Sequence, residues 1–180
     1  MKKILLTIVV MVATFSFCAN AQSVTADFSS LDKLVEKLDK ACAKAPNPCG
    51  VGDIDGFVDG NKTAAKGAVD SAKKLHSLYS RQIGETEDGV QDVTITKPTL
   101  DDWLSLATAI ATQTAGMAEL GVSGKNAAES LKKVDKMKAI KLAKPLKWAT
   151  DIMPVTGQAL AEETKAIDQI IKLVKSENNL

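Results

Sequence analysis

The chain is poor in the residues that catalysis and metal binding use most. It has one histidine, His76, one arginine, Arg81, and an aromatic content of only 4%. A serine or cysteine nucleophile generally needs a positioned base, most often histidine, and a lone imidazole near Lys73, Lys74 and Arg81 is a poor candidate. Zinc coordination would need histidines that are missing. GxSxG, the P-loop, GxGxxG, HExxH and the kinase signatures are all absent. Two carboxylates in a cleft would suffice for glycoside hydrolysis, yet the acids here fall on polar helix faces or in loops, without the aromatic platforms of sugar sites. These absences predict a protein that is not an enzyme and holds no cofactor or metal. They also argue against nucleic acid as a partner, since 23 basic residues face 22 acidic ones and arginine readout is almost lacking.

The N-terminus carries the clearest signal. Lys2 and Lys3 precede an apolar run from Ile4 to Phe17, and Ala19-Asn20-Ala21 offers the small residues that a signal peptidase reads. Residues 1–21 are therefore expected to be a cleaved signal peptide and 22–180 a single helical-bundle domain, exported to the periplasm or beyond. Cys18 raises the question of a lipoprotein, but Phe17 is too bulky for a lipobox, so lipid anchoring is not expected. Loss of Lys2 and Lys3 leaves 21 basic and 22 acidic residues, a formal charge of −1.

The two cysteines that remain, Cys42 and Cys49, bracket AKAPNP, a connection stiffened by two prolines. In an oxidising compartment an even pair predicts a disulfide, which on the chain-entropy model would restrict the unfolded state by about 2.5 kcal/mol. The spacing does not suit a redox-active pair, which normally has two residues between its cysteines.

Apolar periodicity predicts an all-α fold, a bundle of four to five helices with one long irregular connection at about 84–98. Phe28, Leu31, Leu34, Val35, Leu38, Ala41 and Cys42 form one stripe, with Ser29 and Asp32 as a start signal. Residues 50–61, GVGDIDGFVDGN, resemble a calcium loop, but an EF-hand starting at Asp53 would place Phe57 and Val58 where a ligand and the turn glycine belong. They predict a turn-rich entry, with Ile54, Phe57 and Val58 inward, to a helix over about 61–83. Thr99 with Asp102 predicts a capping box opening a helix that Gly121 would end. From Trp103 to Ala118 that helix has no charged residue, so it is expected to be the buried central element. It is short for a membrane span, which wants about 20 mainly apolar residues, and it contains Ser105, Thr108, Thr112, Gln113 and Thr114. A turn at 121–124 would lead to a fourth helix from about Lys125, with Ala128, Leu131, Val134 and Met137 or Lys138 on its face. Pro145 and Pro154 are expected to break the helical pattern beyond it, giving a short helix over 146–153 and a last one over about 158–176.

The most distinctive charge feature is the segment 132–148. Lys132, Lys133, Lys136, Lys138, Lys141, Lys144 and Lys147 stand against one acid, Asp135, with apolar residues and Trp148 interleaved. The ordinary reading is a solvated face whose lysines are balanced by acids at 85–102; the alternative is an amphipathic segment resting on anionic lipid or another polyanion. The expected function is that of an exported interaction or scaffold module, acting on a protein partner or an envelope component. Two alternatives are a membrane-active protein, docking through 132–148 with possible insertion of 103–118, and a carrier of a small apolar ligand beside the alanine- and threonine-rich helix.

Overall fold

The computed structural model describes residues 26–86, 90, 92 and 94–177. The expected signal peptide, Cys18 and the last three residues lie outside them. Among the described residues the chain is all-helical, with no strand: α1 (Ser29–Cys42), α2 (Gly52–Ile83), α3 (Leu100–Lys132) and α4 (Lys136–Glu177). The helices α2 and α4 each pack against every other helix, while α1 and α3 lie on opposite sides and do not meet. Cross-helix neighbours fix the directions. Positions 60 and 67 of α2 meet Leu120 and Gln113 of α3, so those two run antiparallel. Ser71 of α2 meets Glu163 of α4, and the Trp148 indole of α4 meets the C-terminal end of α1 at Ala41.

Two apolar clusters fill the interior. The larger gathers Phe28, Leu31 and Leu38 of the α1 region with Leu75, Trp103, Leu106, Ile110, Leu160 and Ile170. The smaller closes the other end with Ile54, Phe57, Val58, Ala127, Leu142 and Ala149. The inward placement expected for Ile54, Phe57 and Val58 is observed.

Several expected boundaries are corrected. Residues 52–61 are the first turns of α2 rather than a turn-rich entry. There Asp55 accepts hydrogen bonds from the Cys49 and Gly50 N–H groups at 2.7 and 2.9 Å, and Asp53 is bonded by Ser130. The capping box at Thr99 forms as expected, Asp102 N–H donating to Thr99 Oγ1 at 3.2 Å and Thr99 N–H to Asp102 Oδ2 at 2.8 Å. Gly121 does not end α3, which continues through Gly124 to Lys132. The reason is packing. A Cβ at Gly124 would sit 3.0 Å from the Phe57 ring, and one at Gly60 would sit 2.6 Å from Leu120 Cδ2, so these glycines let α2 and α3 approach closely instead of turning the chain.

The prolines are a second correction: α4 runs unbroken through Pro145 and Pro154. Each internal proline costs about 3 kcal/mol. Against that stands one uninterrupted buried line, Leu142, Ala149, Ile152, Val155, Ala159, Leu160, Ile167, Ile170 and Val174, in which each larger side chain contributes about 1.5–3 kcal/mol.

The third correction concerns the charge-free stretch of α3. Only Trp103, Leu106 and Ile110 of it are buried. Leu104, Thr108, Ala111, Thr112, Ala115 and Ala118 face outward. The central helix is α2, whose inner side carries twelve buried residues, many of them small enough for α3 and α4 to pack on either side of it.

Among the described residues one ionisable group lies fully inside. Glu163 has no exposed surface, and Ser71 Oγ lies 2.5 Å from its Oε2 while its Oε1 has no partner. Burial raises its pKa to about 7, offset only in part by the Ser71 hydroxyl. In the protonated form the carboxyl donates to Ser71 Oγ, leaving the hydroxyl proton for the Gly67 carbonyl 3.0 Å away.

This interior makes stability depend on pH and on two glycine positions. Because the folded pKa of Glu163 lies above its unfolded value of 4.5, its contribution is fully present below pH 4.5 and is lost as pH rises through about 7. Denaturant titrations should find the protein less stable at pH 8 than at pH 5 by about 2–3 kcal/mol from this group, and Glu163→Gln should flatten that dependence. At the α2–α3 crossing, Gly124→Val should cost about 1–3 kcal/mol by driving methyls into Phe57. In contrast, Gly56→Ala, with open space around the new Cβ, should stabilise by about 0.5–1 kcal/mol.

Candidate functional site

The lysine segment falls at one end of the bundle, across the tight α3–α4 connection. Its one acid is used locally: Asp135 Oδ1 accepts from Lys138 N–H at 2.9 Å, and the Asp135 carbonyl from Ala139 N–H at 2.9 Å. With Asp135 committed there, the first turn of α4 holds no acidic residue, and Lys136 and Lys138 stand at a helix N-terminus, where a positive charge is disfavoured by about 0.3–1 kcal/mol.

All seven lysines are exposed. Lys132 ends α3, Lys133 caps it, and Lys136, Lys138, Lys141, Lys144 and Lys147 lie on α4. Of the seven, only Lys147 is ion-paired among the described residues, with Asp151 at 2.7 Å. The acids at 85–102 that were expected to balance this face include Glu87 and Asp88, which lie outside the described residues. Within the lysines, Met137 and Ile140 are 75% and 72% exposed, although Met137 or Lys138 was expected on the apolar face. The apolar line of α4 instead runs through Leu142, Pro145 and Ala149, all buried, and helical phase puts 137, 140, 144 and 147 on the opposite side. A sequence reading that carried the helix through Pro145 would have found this face.

Trp148 is half-buried and belongs to the scaffold as well as to the rim. Its Nε1 donates to the Ala41 carbonyl at 3.2 Å, tying α4 to the end of α1. Beside it opens a recess of about 370 Å³, lined by Lys44, Pro46, Asn47, Pro48, Cys49, Lys141, Lys144, Pro145 and Trp148. Lys44 gave no sequence signal, because it joins Lys141 and Lys144 only through the packing of the 43–51 connection against α4.

The expected disulfide is not formed: Cys42 and Cys49 are free cysteines and do not stand at bonding distance. The two thiols belong to different apolar clusters. Cys42 packs against the larger, and Cys49 against the smaller, where Asp55 holds its backbone. Burial raises the pKa of both, and the Asp55 carboxylate raises that of Cys49 further. Neither thiol is electrostatically activated.

His76, for which no catalytic or ligand role was expected, joins α1 to α2. Its Nε2 lies 2.8 Å from Asp32 Oδ1, and its ring sits 4.5 Å from Phe28. Among the described residues no group of three or more His, Cys, Asp or Glu side chains is arranged to hold a metal ion. The space beside the alanine- and threonine-rich helix is a groove of about 650 Å³ on the flank of the bundle, between α3 and Thr164, Ile167 and Asp168 of α4. It is open to solvent rather than an enclosed chamber.

Comparison with protein-family models, curated proteins and solved structures found no match to this chain. Fold and surface together define a four-helix, all-α protein whose most prominent feature is a lysine-rich tip with exposed apolar side chains.

The raised thiol pKa values lead to a direct expectation, since the thiolate is the reacting form. Alkylation of Cys42 and Cys49 by iodoacetamide at pH 7 should be slower in the native protein than in denaturant, followed by mass spectrometry. Equal rates in the two states would show that the thiols are not shielded.

Proposed function

We propose that this protein is a non-catalytic interaction module that docks by the α3–α4 tip on an anionic lipid surface of the cell envelope. The observation that carries this reading is the pair Met137 and Ile140, each at least 72% exposed at the centre of a lysine face. Fold stability does not account for them. Both side chains give up burial, and the neighbouring Lys136 and Lys138 oppose the helix dipole. At an anionic interface the same features become favourable. Each lysine near the surface contributes about 1 kcal/mol, and apolar side chains gain on entering the headgroup layer. The recess among Lys44, Lys141 and Lys144 has the size and charge to seat a phosphate headgroup, with the Trp148 indole beside it. No described helix is long and apolar enough to cross a membrane, so the proposal is confined to docking at the interface and does not include insertion of 103–118.

Co-sedimentation of the chain 22–180 with vesicles tests it. Binding is expected to phosphatidylglycerol-containing vesicles at low salt, weakened about tenfold or more by raising the salt several-fold, as expected for screened charges. Phosphatidylcholine vesicles should not bind. The variants Met137→Ser with Ile140→Ser, and Lys141→Glu with Lys144→Glu, should each lose binding while keeping the native circular dichroism. Absence of binding to anionic vesicles, or binding that either double variant leaves unchanged, overturns the proposal.

A further inference from the structure

The outer face of α3 carries a seam that, among the described residues, no other helix covers. Leu104, Thr108, Ala111, Ala115, Ala118 and Val122 recur at alternating spacings of four and three, and all are exposed, Leu104 at 40% and Val122 at 59%. That is the a/d spacing of a coiled-coil seam. Continued outward, it reaches Asp101 at one end and Lys125 at the other, both exposed and neither ion-paired among the described residues.

The seam is symmetric about position 113. Turned end for end, it sets Leu104 opposite Val122, Thr108 opposite Ala118 and Ala111 opposite Ala115. It also sets Asp101 opposite Lys125. A two-fold axis imposes this reciprocity, residue i meeting j while j meets i. A parallel pairing would instead face Asp101 with Asp101 and Lys125 with Lys125. Charge complementarity therefore selects the antiparallel arrangement and fixes its register.

We propose that two copies of this chain associate through α3, packed antiparallel with Asp101 of each copy beside Lys125 of the other. The small residues at the centre let the backbones come close. The larger Leu104 and Val122 fill the ends, and the flanking groove with Ile167 at its wall receives the edge of the second copy. From Leu104 to Val122 the contact runs about 27 Å, at about 1.5 Å per residue. A single helix pair with small side chains at its centre buries little apolar surface, so the dimer forms at micromolar concentrations or above. Because α3 ends at the lysine tip, the antiparallel dimer carries one tip at each end.

Sedimentation equilibrium of the chain 22–180 from about 1 to 500 µM tests the association without reference to lipid. A reversible monomer–dimer equilibrium is expected. Ala115→Glu, on an exposed site, should weaken it at least tenfold with unchanged circular dichroism. Asp101→Lys alone and Lys125→Asp alone should each weaken it, and the two together should restore it. A protein that stays monomeric at all concentrations, or a dimer indifferent to Ala115→Glu, overturns the proposal and leaves the seam to a different partner. Single charge reversals without effect, or a double reversal without rescue, overturn the antiparallel register.

Discussion

The line of buried side chains along α4 is the constraint to which the other elements answer. It extends from Leu142 to Val174 and meets both apolar clusters. Burial of that length outweighs two internal prolines, so the helix stays continuous where the backbone alone would favour a break. Because α2 is paired along α4, the small residues of α2, among them Ala65, Ala68 and Ala72, bring the two axes together. Then α1 and α3 occupy the grooves on either side. The Trp148 indole, packed against both clusters and bonded to the Ala41 carbonyl, locks the short α1 onto this pair.

Tight packing explains the positions that look wrong for a helix. Gly60 and Gly124 lower intrinsic helicity, yet a side chain there would collide with Leu120 or Phe57. Glu163 is more costly. A carboxyl group inside the α2–α4 contact, with one oxygen on Ser71 and the other unpartnered, stays neutral until the pH approaches 7. Buried polar groups of this kind fix register when satisfied and destabilise when ionised.

What α4 and α2 bury also determines what is left outside. On α4 the phase of the buried line puts Met137 and Ile140 among the lysines, and on α3 it leaves a charge-free seam facing away from the bundle. These are separate surfaces, one cationic with apolar tips and one neutral with a charge at each end. As proposed above, the first would meet an anionic layer and the second a second copy of the chain. The thiols of Cys42 and Cys49 pack against different apolar clusters, and His76 joins α1 to α2 through Asp32.

By itself the sequence determined the helical class, the stripe of α1, the capping box at Thr99, the inward turn of Ile54, Phe57 and Val58, and the exposed lysines, because each depends on periodicity or chemistry within a few residues. It misplaced the breaks. Glycine at 121 and 124 and proline at 145 and 154 have local preferences that end helices, and nothing nearby in sequence shows the Phe57 ring or the length of the buried line that overrides them. The charge-free stretch of α3 reads as interior, since absence of charge looks the same whether a face meets the core or an unfilled surface. The two cysteines are close enough in sequence to suggest a bond, and only the packing of each into a different cluster keeps them apart. Which face of a helix is covered is settled by partners far along the chain, and so only the tertiary structure decided it.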